Sequence, residues 1–569
     1  MSKYLFRNAV VFTSDEAVPS ADTIAIDGDG FVYVGIGDPE EGILPGFPDD
    51  YMQVDLGGRM VVPGFCDSHT HPGMVSQSAW HIRLPYTDDI DALLSFVKEY
   101  AKAHPKDEIP FLYFEYYPTS LSGGLKLTAE MLDVAVDDRP CLMQDFGEHI
   151  HWVNSKMLEM MEVTKYVPDP VPGLEVFVRD EEGNPTGMIK EFAWIHFSET
   201  LFRNIGWEPP MVMTPENMTR FFEFLPANGI TALGEGILEG EEQMYSMAEL
   251  DKQGKLYCYY DGVVRYWGME DLVEKIAFLR EMQRKYSSPH LKINTMKLFL
   301  DGTNESGNSA LLSPHLNDPT GTNYGEIKME TPELTECFTV CNNEGLDMHI
   351  HMVGDRAFRV ACDAVEAAQK IAKEQGRPWV CQPIFAHCEF VSPDDILRPA
   401  KLGITINCSC HWNGGYFGEE SMLYITREQW ESFYYFTPMI KSGARVCFSS
   451  DVTTFYELHR ANPLFGMQVG HTRIDPEFPM DPGLYPGSVR PLADACIDRE
   501  TLLKGYTIES AKQMRMDGIL GSITAGKKAN LCVLSDNYFD VPADKIKDIN
   551  LDAVIFDGAL VHGELPDAK

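Results

Sequence analysis

Basic residues and long apolar runs are both scarce in this sequence, and each shortage argues against a class of protein. Lysine and arginine total 47 against 86 aspartates and glutamates, which gives a formal net charge of −39. A surface of that charge repels nucleic acid and anionic membranes. No stretch of roughly eighteen consecutive apolar residues occurs, so we expect no transmembrane helix. The expected partner is therefore a small-molecule substrate, not nucleic acid or a membrane.

Paired cysteine motifs are also missing. The thirteen cysteines are scattered singly, mostly inside apolar strand-like runs, and none forms a C-x-x-C pair. Such a distribution is typical of reduced, buried thiols in a cytosolic protein. The N-terminal segment is too short and too interrupted by polar residues to be a secretory core. We expect a cytoplasmic protein that forms a homodimer.

The two ends of the chain share one sequence pattern. The first sixty residues contain short alternating apolar runs separated by turns, with Asp-Gly-Asp-Gly at one bend, a strong hairpin signal. Residues 518–569 have the same pattern. We therefore predict that residues 1–60 and 518–569 form one composite β-sandwich domain beside a main domain of residues 61–517.

The middle of the chain alternates apolar strand candidates with helix-like or loop segments. The candidates are residues 61–67, 230–235, 256–265, 293–301, 346–353, 383–389, 404–410 and 446–451. Eight such strands are the count that a closed (β/α)8 TIM barrel of the α/β class needs. The first two candidates lie much farther apart than a usual crossover allows. Residues 74–214 are therefore predicted to be an inserted lid subdomain over one barrel mouth.

Two histidines mark the end of the first strand candidate. His69 and His71 alternate along VVPGFCDSHTHPG, so on a strand they project to the same side and can hold one metal ion together. A pair of ordinary hydrogen-bonded histidines is the alternative interpretation of so short a motif. Further ionisable residues end the later strand candidates: Glu235, Lys297, Asp301, His349, His351, His387 and Asp451.

Each of these strand-end residues has an ordinary explanation when taken alone, as a core histidine, an N-cap aspartate or a snorkelling lysine. Together they favour a metal site, because ionisable residues are rarely placed inside successive apolar strands unless they pair or bind metal. In a TIM barrel the chemistry lies at the carboxyl ends of the strands. The sequence therefore predicts a divalent metal centre at that mouth.

The charge balance of the metal site suggests why a lysine stands among its ligands. Four neutral imidazoles and one carboxylate undercompensate two divalent cations, and a lysine ammonium beside them would add repulsion. If Lys297 reacts with carbon dioxide, its carbamate supplies an anion instead of a cation. We therefore predict a carbamate on Lys297 together with one or two divalent ions, zinc being the expected metal.

Several of these motifs resemble one known family. DSHTH, the lysine of KLFLDGT, HMVGDRA, the histidine of strand six and SSD are similar to the ordered metal-ligand set of the amidohydrolase superfamily. GNPTGMIKE, NPLFGMQVGHTR and GSITAGKKANLCVLSD resemble its amidohydrolase 3 branch, which includes N-substituted formamide deformylases. The resemblance implies as metal ligands His69, His71, Lys297, His351, His387 and Asp451. His351 is preferred to His349 because it stands three residues before the Gly-Asp of H-x-x-G-D.

The resemblance implies a hydrolase that cleaves an amide-like C–N bond, with Asp451 and Lys297 as catalytic residues and Asp451 as the proton shuttle. Lyase or isomerase chemistry on the same scaffold is an alternative, since a fold does not fix a reaction. A non-catalytic small-molecule-binding protein is a third and less favoured interpretation, because none of the six ligands is lost.

The substrate side is predicted from weaker signals. HIHWVNS resembles the family's substrate-side G-H-x-x-W-V-N-S, with His149 at the position of its histidine. The residues predicted to contact substrate are His149, Trp152, Glu235 and Asp301. An aromatic pocket for a small, hydrophobic substrate could draw on Tyr116, Tyr117, Trp152, Trp194, Trp412 and Tyr416. Two departures from the branch are Ala386 where a glutamate usually precedes the histidine, and Gly234-Glu235 where His-Asp is common.

Overall fold

The computed structural model describes residues 3–85, 87–124, 126–209, 213–238, 240–415 and 418–566. The strands before the barrel are β1 (Lys3–Arg7), β2 (Val10–Phe12), β3 (Ser20–Ala21), β4 (Thr23–Asp27), β5 (Gly30–Gly35), β6 (Met52–Asp55) and β7 (Met60–Pro63). The first barrel strand is β8 (Phe65–Thr70). A second group follows it: β9 (Ile82–Arg83), β10 (Leu112–Tyr117), β11 (Cys141–Asp145), β12 (Ile150–Val153), β13 (Val176–Arg179) and β14 (Pro185–Lys190).

The remaining strands complete the barrel and return to the terminal domain. Those of the barrel are β15 (Ile230–Glu235), β16 (Tyr259–Arg265), β17 (Leu291–Phe299), β18 (Asp347–Met352), β19 (Pro383–His387), β20 (Thr405–Ser409) and β21 (Arg445–Ser449). The last three are β22 (Leu531–Leu534), β23 (Leu551–Phe556) and β24 (Ala559–Gly563).

The α-helices lie mainly between the barrel strands and in the segment after β8. They are α1 (Pro72–Gln77), α2 (Ile90–Ala103), α3 (Thr119–Gly124), α4 (Ala129–Asp133), α5 (Ser155–Met160), α6 (Ser198–Ile205), α7 (Pro215–Ala227), α8 (Glu241–Lys252), α9 (Met269–Tyr286), α10 (Thr331–Glu344), α11 (Asp355–Glu374), α12 (Arg398–Leu402), α13 (Arg427–Glu431), α14 (Thr437–Lys441), α15 (Pro463–Thr472), α16 (Arg499–Lys504) and α17 (Ser510–Gln513). Short 3-10 segments and one π-helical turn, Gly505–Glu509, connect some of them.

One parallel sheet forms the barrel. Its strands lie in the order β8, β15, β16, β17, β18, β19, β20 and β21, so each pairs with the next barrel strand along the chain. The two edge strands are linked at their carboxyl ends, where the Asp451 amide donates to the His69 carbonyl oxygen at 2.7 Å. The His71 amide likewise donates to Val452 at 3.2 Å. The predicted α/β TIM barrel is confirmed.

The first strand candidate, residues 61–67, is divided between two sheets. β7 pairs with β2 and β22 in the terminal part of the molecule, whereas the barrel strand begins only at Phe65. Gly64 separates the two, and a side chain there would lie 2.3 Å from the Thr231 hydroxyl. The expected single strand was wrong because one continuous apolar run serves both a terminal sheet and the barrel.

N-terminal strands form one further sheet, and strands from both chain ends form another. One has the order β5-β4-β1-β6 and the other β24-β23-β22-β7-β2-β3. Both contribute to one apolar core, in which Phe6 and Ile24 of the first sheet pack with Val61, Leu531 and Ile555 of the second. The two ends of the chain are thus held together by burial of apolar surface.

The segment between β8 and β15 has its own sheet and cores. Its strand order is β13-β14-β12-β11-β10-β9. Apolar clusters lie around this sheet, one containing Leu93, Phe114 and Trp152, the other Phe111 and Ile189. Residues of this segment line the same cavity as residues at the barrel mouth.

Two features predicted from composition can be checked against the fold. Of the thirteen cysteines, all free, twelve are buried and Cys496 is partly buried, in agreement with the expected buried thiols. Among the described helices, none combines the length and the apolar character that crossing a membrane requires.

Candidate metal centre and its cavity

The six predicted metal ligands converge at one end of the barrel. They lie on or just beyond the carboxyl ends of β8, β17, β18, β19 and β21. All six line one cavity of about 1420 Å³. Parallel barrel strands bring their carboxyl ends to the same mouth, so residues far apart in sequence meet there.

Asp451 is at the centre of this group. Its Oδ1 lies 2.9 Å from His71 Nε2 and 3.4 Å from His69 Nε2, and its Oδ2 lies 3.4 Å from His387 Nδ1. Potential ligand atoms of His69, His387 and Asp451 all lie within 4.8 Å of one another. Lys297 Nζ is 3.4 Å from His69 Nε2. These distances place nitrogen and oxygen donors around one small volume.

Burial favours the neutral, metal-binding form of several of these donors. Burial lowers the pKa of the His69, His351 and His387 imidazoles well below their ordinary value, so these rings are neutral. Burial also lowers the pKa of Lys297 to about 7, although the Asp451 carboxylate acts in the opposite direction. A lysine must lose its proton before it can react with carbon dioxide.

The chemistry of the donor set provides a test of whether these residues fit a metal. His69 Nε2 and His71 Nε2 both face the Asp451 carboxylate, so the nitrogens directed into the cluster are the ones that could bind an ion. The Nδ1 atoms of the two rings are on the opposite side and are buried without a hydrogen-bond partner among the described residues. Neutral imidazoles with one carboxylate are a donor set suited to zinc or a similar divalent ion.

Two of the six residues have an unusual backbone. His387 and Asp451 have φ angles of 70° and 52°, in the left-handed region that non-glycine residues rarely adopt. Both stand at or just after the end of a barrel strand. Such conformations cluster at functional sites, where the surrounding structure enforces them.

The structure separates His351 from His349. His351 lines the cavity, and its ring centroid is 4.6 Å from that of His387. His349 lies two residues earlier on the same strand and is not part of the cavity lining, while its ring packs edge-on to His69 at 4.5 Å. This placement favours His351 over His349 as the ligand.

Three predicted substrate contacts lie outside the cavity lining. Asp301 is buried and accepts hydrogen bonds from the amides of Ala310, Val353 and Gly354 at 2.9–3.0 Å. Its carboxylate therefore holds the loops that follow two barrel strands. These bonds give Asp301 a structural role, and its predicted contact with substrate stays an untested prediction that this position does not favour.

The positions of Glu235 and Trp152 likewise do not favour their predicted contacts with substrate, which stay untested. Glu235 is buried, where Oε2 accepts from the Tyr260 hydroxyl at 3.0 Å and from Gln243 at 2.5 Å. The Trp152 indole packs in the core of the inserted segment and donates to the Thr128 carbonyl oxygen at 2.8 Å. Neither side chain lines the cavity.

The departure at Gly234 has a steric reason. A side chain at this position would place its first carbon 2.4 Å from the Ser68 carbonyl oxygen, on the neighbouring barrel strand. Gly236 is equally confined, since a side chain there would lie 2.2 Å from the His71 ring. Glycine at these positions lets the second strand approach the His-x-His segment closely.

His149 does line the cavity. Its ring centroid is 6.2 Å from that of His351, and its Nδ1 lies 2.6 Å from Glu191 Oε2. Burial opposes the charged imidazolium, but the charge of Glu191 and its hydrogen bond outweigh burial and raise the pKa of His149 to about 9. His149 is therefore a fixed cation beside the predicted ligands.

Glu191 was not predicted as a site residue, although it ends the family-like GNPTGMIKE segment. Its second oxygen accepts from Asn308 Nδ2 at 3.1 Å, which connects the inserted segment to a barrel loop. The signal available in the sequence was an acidic residue directly after an alternating strand, which could have marked Glu191 as a site residue. Only the fold shows which histidine it orients.

The aromatic residues divide between cavity and core. Trp194 and Trp412 line the cavity, and the Trp412 ring stacks on His387 at 5.6 Å. Tyr117 packs in the core of the inserted segment, and the Tyr116 hydroxyl bonds to Thr454. Tyr416 lies outside the described residues.

Comparison with known proteins gives a family match over most of the chain. A model described as "Amidohydrolase family" matches residues 53–562. The exoenzymes regulatory protein AepA of Pectobacterium carotovorum subsp. carotovorum is 28% identical over 447 residues, which cover 78% of this chain and 92% of that protein. N-substituted formamide deformylase of Arthrobacter pascens is 23% identical over 580 residues, covering 98% of each chain.

Solved structures share the fold. An uncharacterized metal-dependent hydrolase from Pyrococcus horikoshii OT3 superposes with a TM-score of 0.66 at 22% identity, covering 95% of this chain and 99% of that one. An uncharacterized metal-dependent hydrolase from Pyrococcus furiosus gives a TM-score of 0.64 at 22% identity, over 95% and 100% of the two chains. At this identity the likeness extends to the barrel architecture alone.

Proposed function

This chain belongs to the amidohydrolase family and is a metal-dependent hydrolase, and from that premise we propose that it cleaves the C–N bond of a small amide. The substrate class is an N-acyl or N-formyl compound, or a cyclic amide, with a hydrophobic or aromatic substituent. The observation that carries the proposal is the convergence of the six predicted ligands, His149 and aromatic walls on one cavity.

The residues that would hold the metal are those at the carboxyl ends of the barrel strands. They are His69, His71, Lys297, His351, His387 and Asp451. We propose one or two zinc ions, with Lys297 present as its carbamate. A bound divalent ion polarises a carbonyl and brings the pKa of water close to neutrality.

Asp451 is the proposed proton shuttle. Its carboxylate lies among the imidazoles, where it can accept a proton from the attacking water and pass it to the leaving nitrogen. The water oxygen bonds to the carbonyl carbon as its proton passes to Asp451, and the C–N bond breaks as Asp451 returns that proton to the nitrogen. Proton transfer makes the amine a better leaving group than the amide anion.

His149 is the proposed electrophilic residue. Its Nδ1 is held by Glu191, which leaves the Nε2 side of the imidazolium to meet a substrate oxygen in the cavity. A positioned donor of this kind stabilises the negative charge that develops on the carbonyl oxygen.

The cavity supports a small substrate. Trp194 and Phe202 of the inserted segment line it together with residues of the barrel mouth. We propose that residues 74–214 act as a lid, since enclosed and largely apolar pockets favour ligands that bury most of their surface. The single composite terminal domain, the homodimer and the cytoplasmic location stay predictions.

Hydrolysis of a panel of N-formyl, N-acetyl, cyclic-amide and ester compounds by wild type and His149→Ala tests this proposal. Wild type should hydrolyse a small amide, and His149→Ala should lower its kcat by about 10²–10³, the usual cost of one oxyanion donor. His196→Ala is the matched control, because His196 pairs with Glu175 at 2.6 Å in the same segment but lies outside the cavity lining.

Two results would count against the proposal. Turnover of only large peptides or polysaccharides would contradict the small enclosed substrate. An unchanged kcat/KM of His149→Ala on the best small amide would remove the role assigned to this residue.

A further inference from the structure

Three carboxylates of the cavity wall have no part in the chemistry described above. Glu115 lies on β10, Glu148 follows β11, and Glu457 lies in the segment after β21. All three line the cavity that contains the predicted metal ligands. They influence one another electrostatically. The pKa of Glu148 is raised well above its ordinary value, chiefly by burial and also by the charges of Glu457 and Glu115.

These carboxylates are only partly compensated. Glu115 is 2% exposed, and one of its oxygens lies 2.5 Å from His81 Nδ1 while Oε2 has no hydrogen-bond partner in the described part of the chain. Glu148 Oε2 accepts from the Thr453 hydroxyl, and its Oε1 is buried without a partner there. A buried carboxylate oxygen without a donor is costly, so the site is built for a donor from outside the chain.

Two cations near these carboxylates form their hydrogen bonds and ion pairs with other acids. His149 is bonded to Glu191, and Arg460 forms ion pairs of 2.6 Å with both Asp475 and Glu477. Within the residues that the structure describes, the ion pairs of Glu115, Glu148 and Glu457 include no lysine or arginine. Glu115 Oε2 and Glu148 Oε1 are therefore left without a cationic partner in the described part of the chain.

Aromatic rings surround the same place. The His81 ring stacks on Tyr113 with centroids 3.8 Å apart, and Trp80 packs edge-on to both of them. Trp80, Tyr113 and Trp207 all line the cavity. Aromatic faces attract a cation electrostatically and also accept the apolar arm that carries it.

We propose that Glu115, Glu148 and Glu457 form a subsite for a primary ammonium or guanidinium group at the far end of the substrate's apolar arm. The inference deepens the proposed function and rests on it, since it names the second group of the amide substrate. A cation with N–H donors is required, because the free carboxylate oxygens need hydrogen bonds as well as opposite charge.

The subsite is adjacent to the reaction centre. Glu148 is bonded to Thr453, which stands two residues after Asp451, and two residues of extended chain span at most about 7 Å. A substrate whose carbonyl lies at the metal ligands can therefore reach the carboxylates with an arm of a few carbons. The arrangement predicts selectivity for aminoalkyl over plain alkyl amides.

The test compares three formamides on the metal-loaded enzyme at physiological ionic strength: aminopentyl formamide, its neutral isostere hexyl formamide, and the trimethylammonium analogue. Wild type should prefer the primary ammonium arm over both others by about tenfold or more in kcat/KM. Physiological ionic strength is used because the net charge of −39 attracts any cation without specificity, and salt screens this long-range attraction.

Variants separate the subsite from that general attraction. Glu115→Gln should reduce the preference for the ammonium arm by about tenfold while hexyl formamide, which reports folding, is hydrolysed within about twofold of wild type. If Glu115→Gln folds poorly, Glu457→Gln is the second variant. Glu457 is half-buried, and its replacement should also reduce the preference for the ammonium arm. Glu175→Gln is the matched control, because Glu175 is buried and paired with a histidine but lies outside the cavity lining.

The subsite would be overturned if wild type preferred hexyl formamide to aminopentyl formamide. It would also be overturned if Glu115→Gln and Glu175→Gln showed the same preference for the ammonium arm. If no formamide is hydrolysed, the proposed amide hydrolysis fails, and the subsite is judged by thermal shift with hexylamine and hexanol. A larger rise of Tm with hexylamine that Glu115→Gln abolishes would support the subsite alone. Equal shifts with the two compounds would overturn it.

Discussion

Asp451→Asn should lower kcat by about 10²–10⁴ while much of the bound metal is retained. Asparagine keeps the size of the side chain and one oxygen, which can take the place of Oδ1, 2.9 Å from His71 Nε2, or of Oδ2, 3.4 Å from His387 Nδ1. The amide cannot accept a proton from water and return it to the leaving nitrogen. The proton transfer is therefore lost while the ligand geometry is largely preserved.

Steady-state kinetics and elemental analysis of the same preparation separate these two effects. Asp261→Asn is a matched control, because Asp261 is buried on another barrel strand and lies outside the cavity lining. A rate for Asp451→Asn within about threefold of wild type would exclude the shuttle role, since positioned acid–base catalysis is worth far more than that.

Lys297→Ala should lose both metal and activity. Loss of an outer-shell partner alone costs about 10–100-fold in metal affinity or activity, so removal of a ligand should exceed about 10²-fold. Lys297 is buried, which lowers its pKa to about 7, and its Nζ lies 3.4 Å from His69 Nε2. If the carbamate is the active form, short carboxylic acids should partly restore the rate.

Lys292→Ala provides the control on the same strand. Lys292 Nζ donates to the Met514 carbonyl oxygen at 2.8 Å and lies outside the cavity lining, so its removal should leave the metal in place. Full metal content and rate in Lys297→Ala would mean that this lysine is an ordinary buried cation. In that case mass spectrometry of the wild-type protein under carbon dioxide would show no carbamate on Lys297.

The barrel and its polar mouth could be predicted because the sequence places ionisable residues at the ends of apolar strands, while the choice of six ligands among them came from the family resemblance and stays a prediction. Each such residue alone has an ordinary explanation, but several successive apolar strands that end in ionisable residues such as His69, Lys297 and His387 favour pairing or metal binding. Parallel strands of one barrel then bring those ends together without further information. The whole set lines one cavity, as the alternation of strands and helices predicts.

The substrate side could not be read in the same way. Glu235 and Asp301 also end barrel strands, yet they bond to Tyr260 and to loop amides instead of facing the cavity. Whether a strand-end carboxylate faces the mouth or holds a loop depends on contacts between distant segments. Trp152 illustrates the same limit, because alternation along β12 places it in the core and not above the metal ligands.

Glu115 was overlooked although the reasoning used for the ligands applies to it. It is a single acid inside the apolar run PFLYFEYYP, which argues for a partner or a function. The inserted segment has no repeated unit that would show which of its strands faces the barrel. Only the arrangement of β10 beside the cavity reveals the residues with which it acts.

The central claim is that this barrel holds a catalytic divalent metal, and metal content measured with activity tests it most directly. Protein purified without chelator should contain about one to two equivalents of metal, chiefly zinc, per chain. Removing the metal should abolish amide hydrolysis, and added Zn²⁺, Mn²⁺ or Co²⁺ should restore it. Substantially less than one equivalent, with no activity gained from any of these ions, would contradict the account.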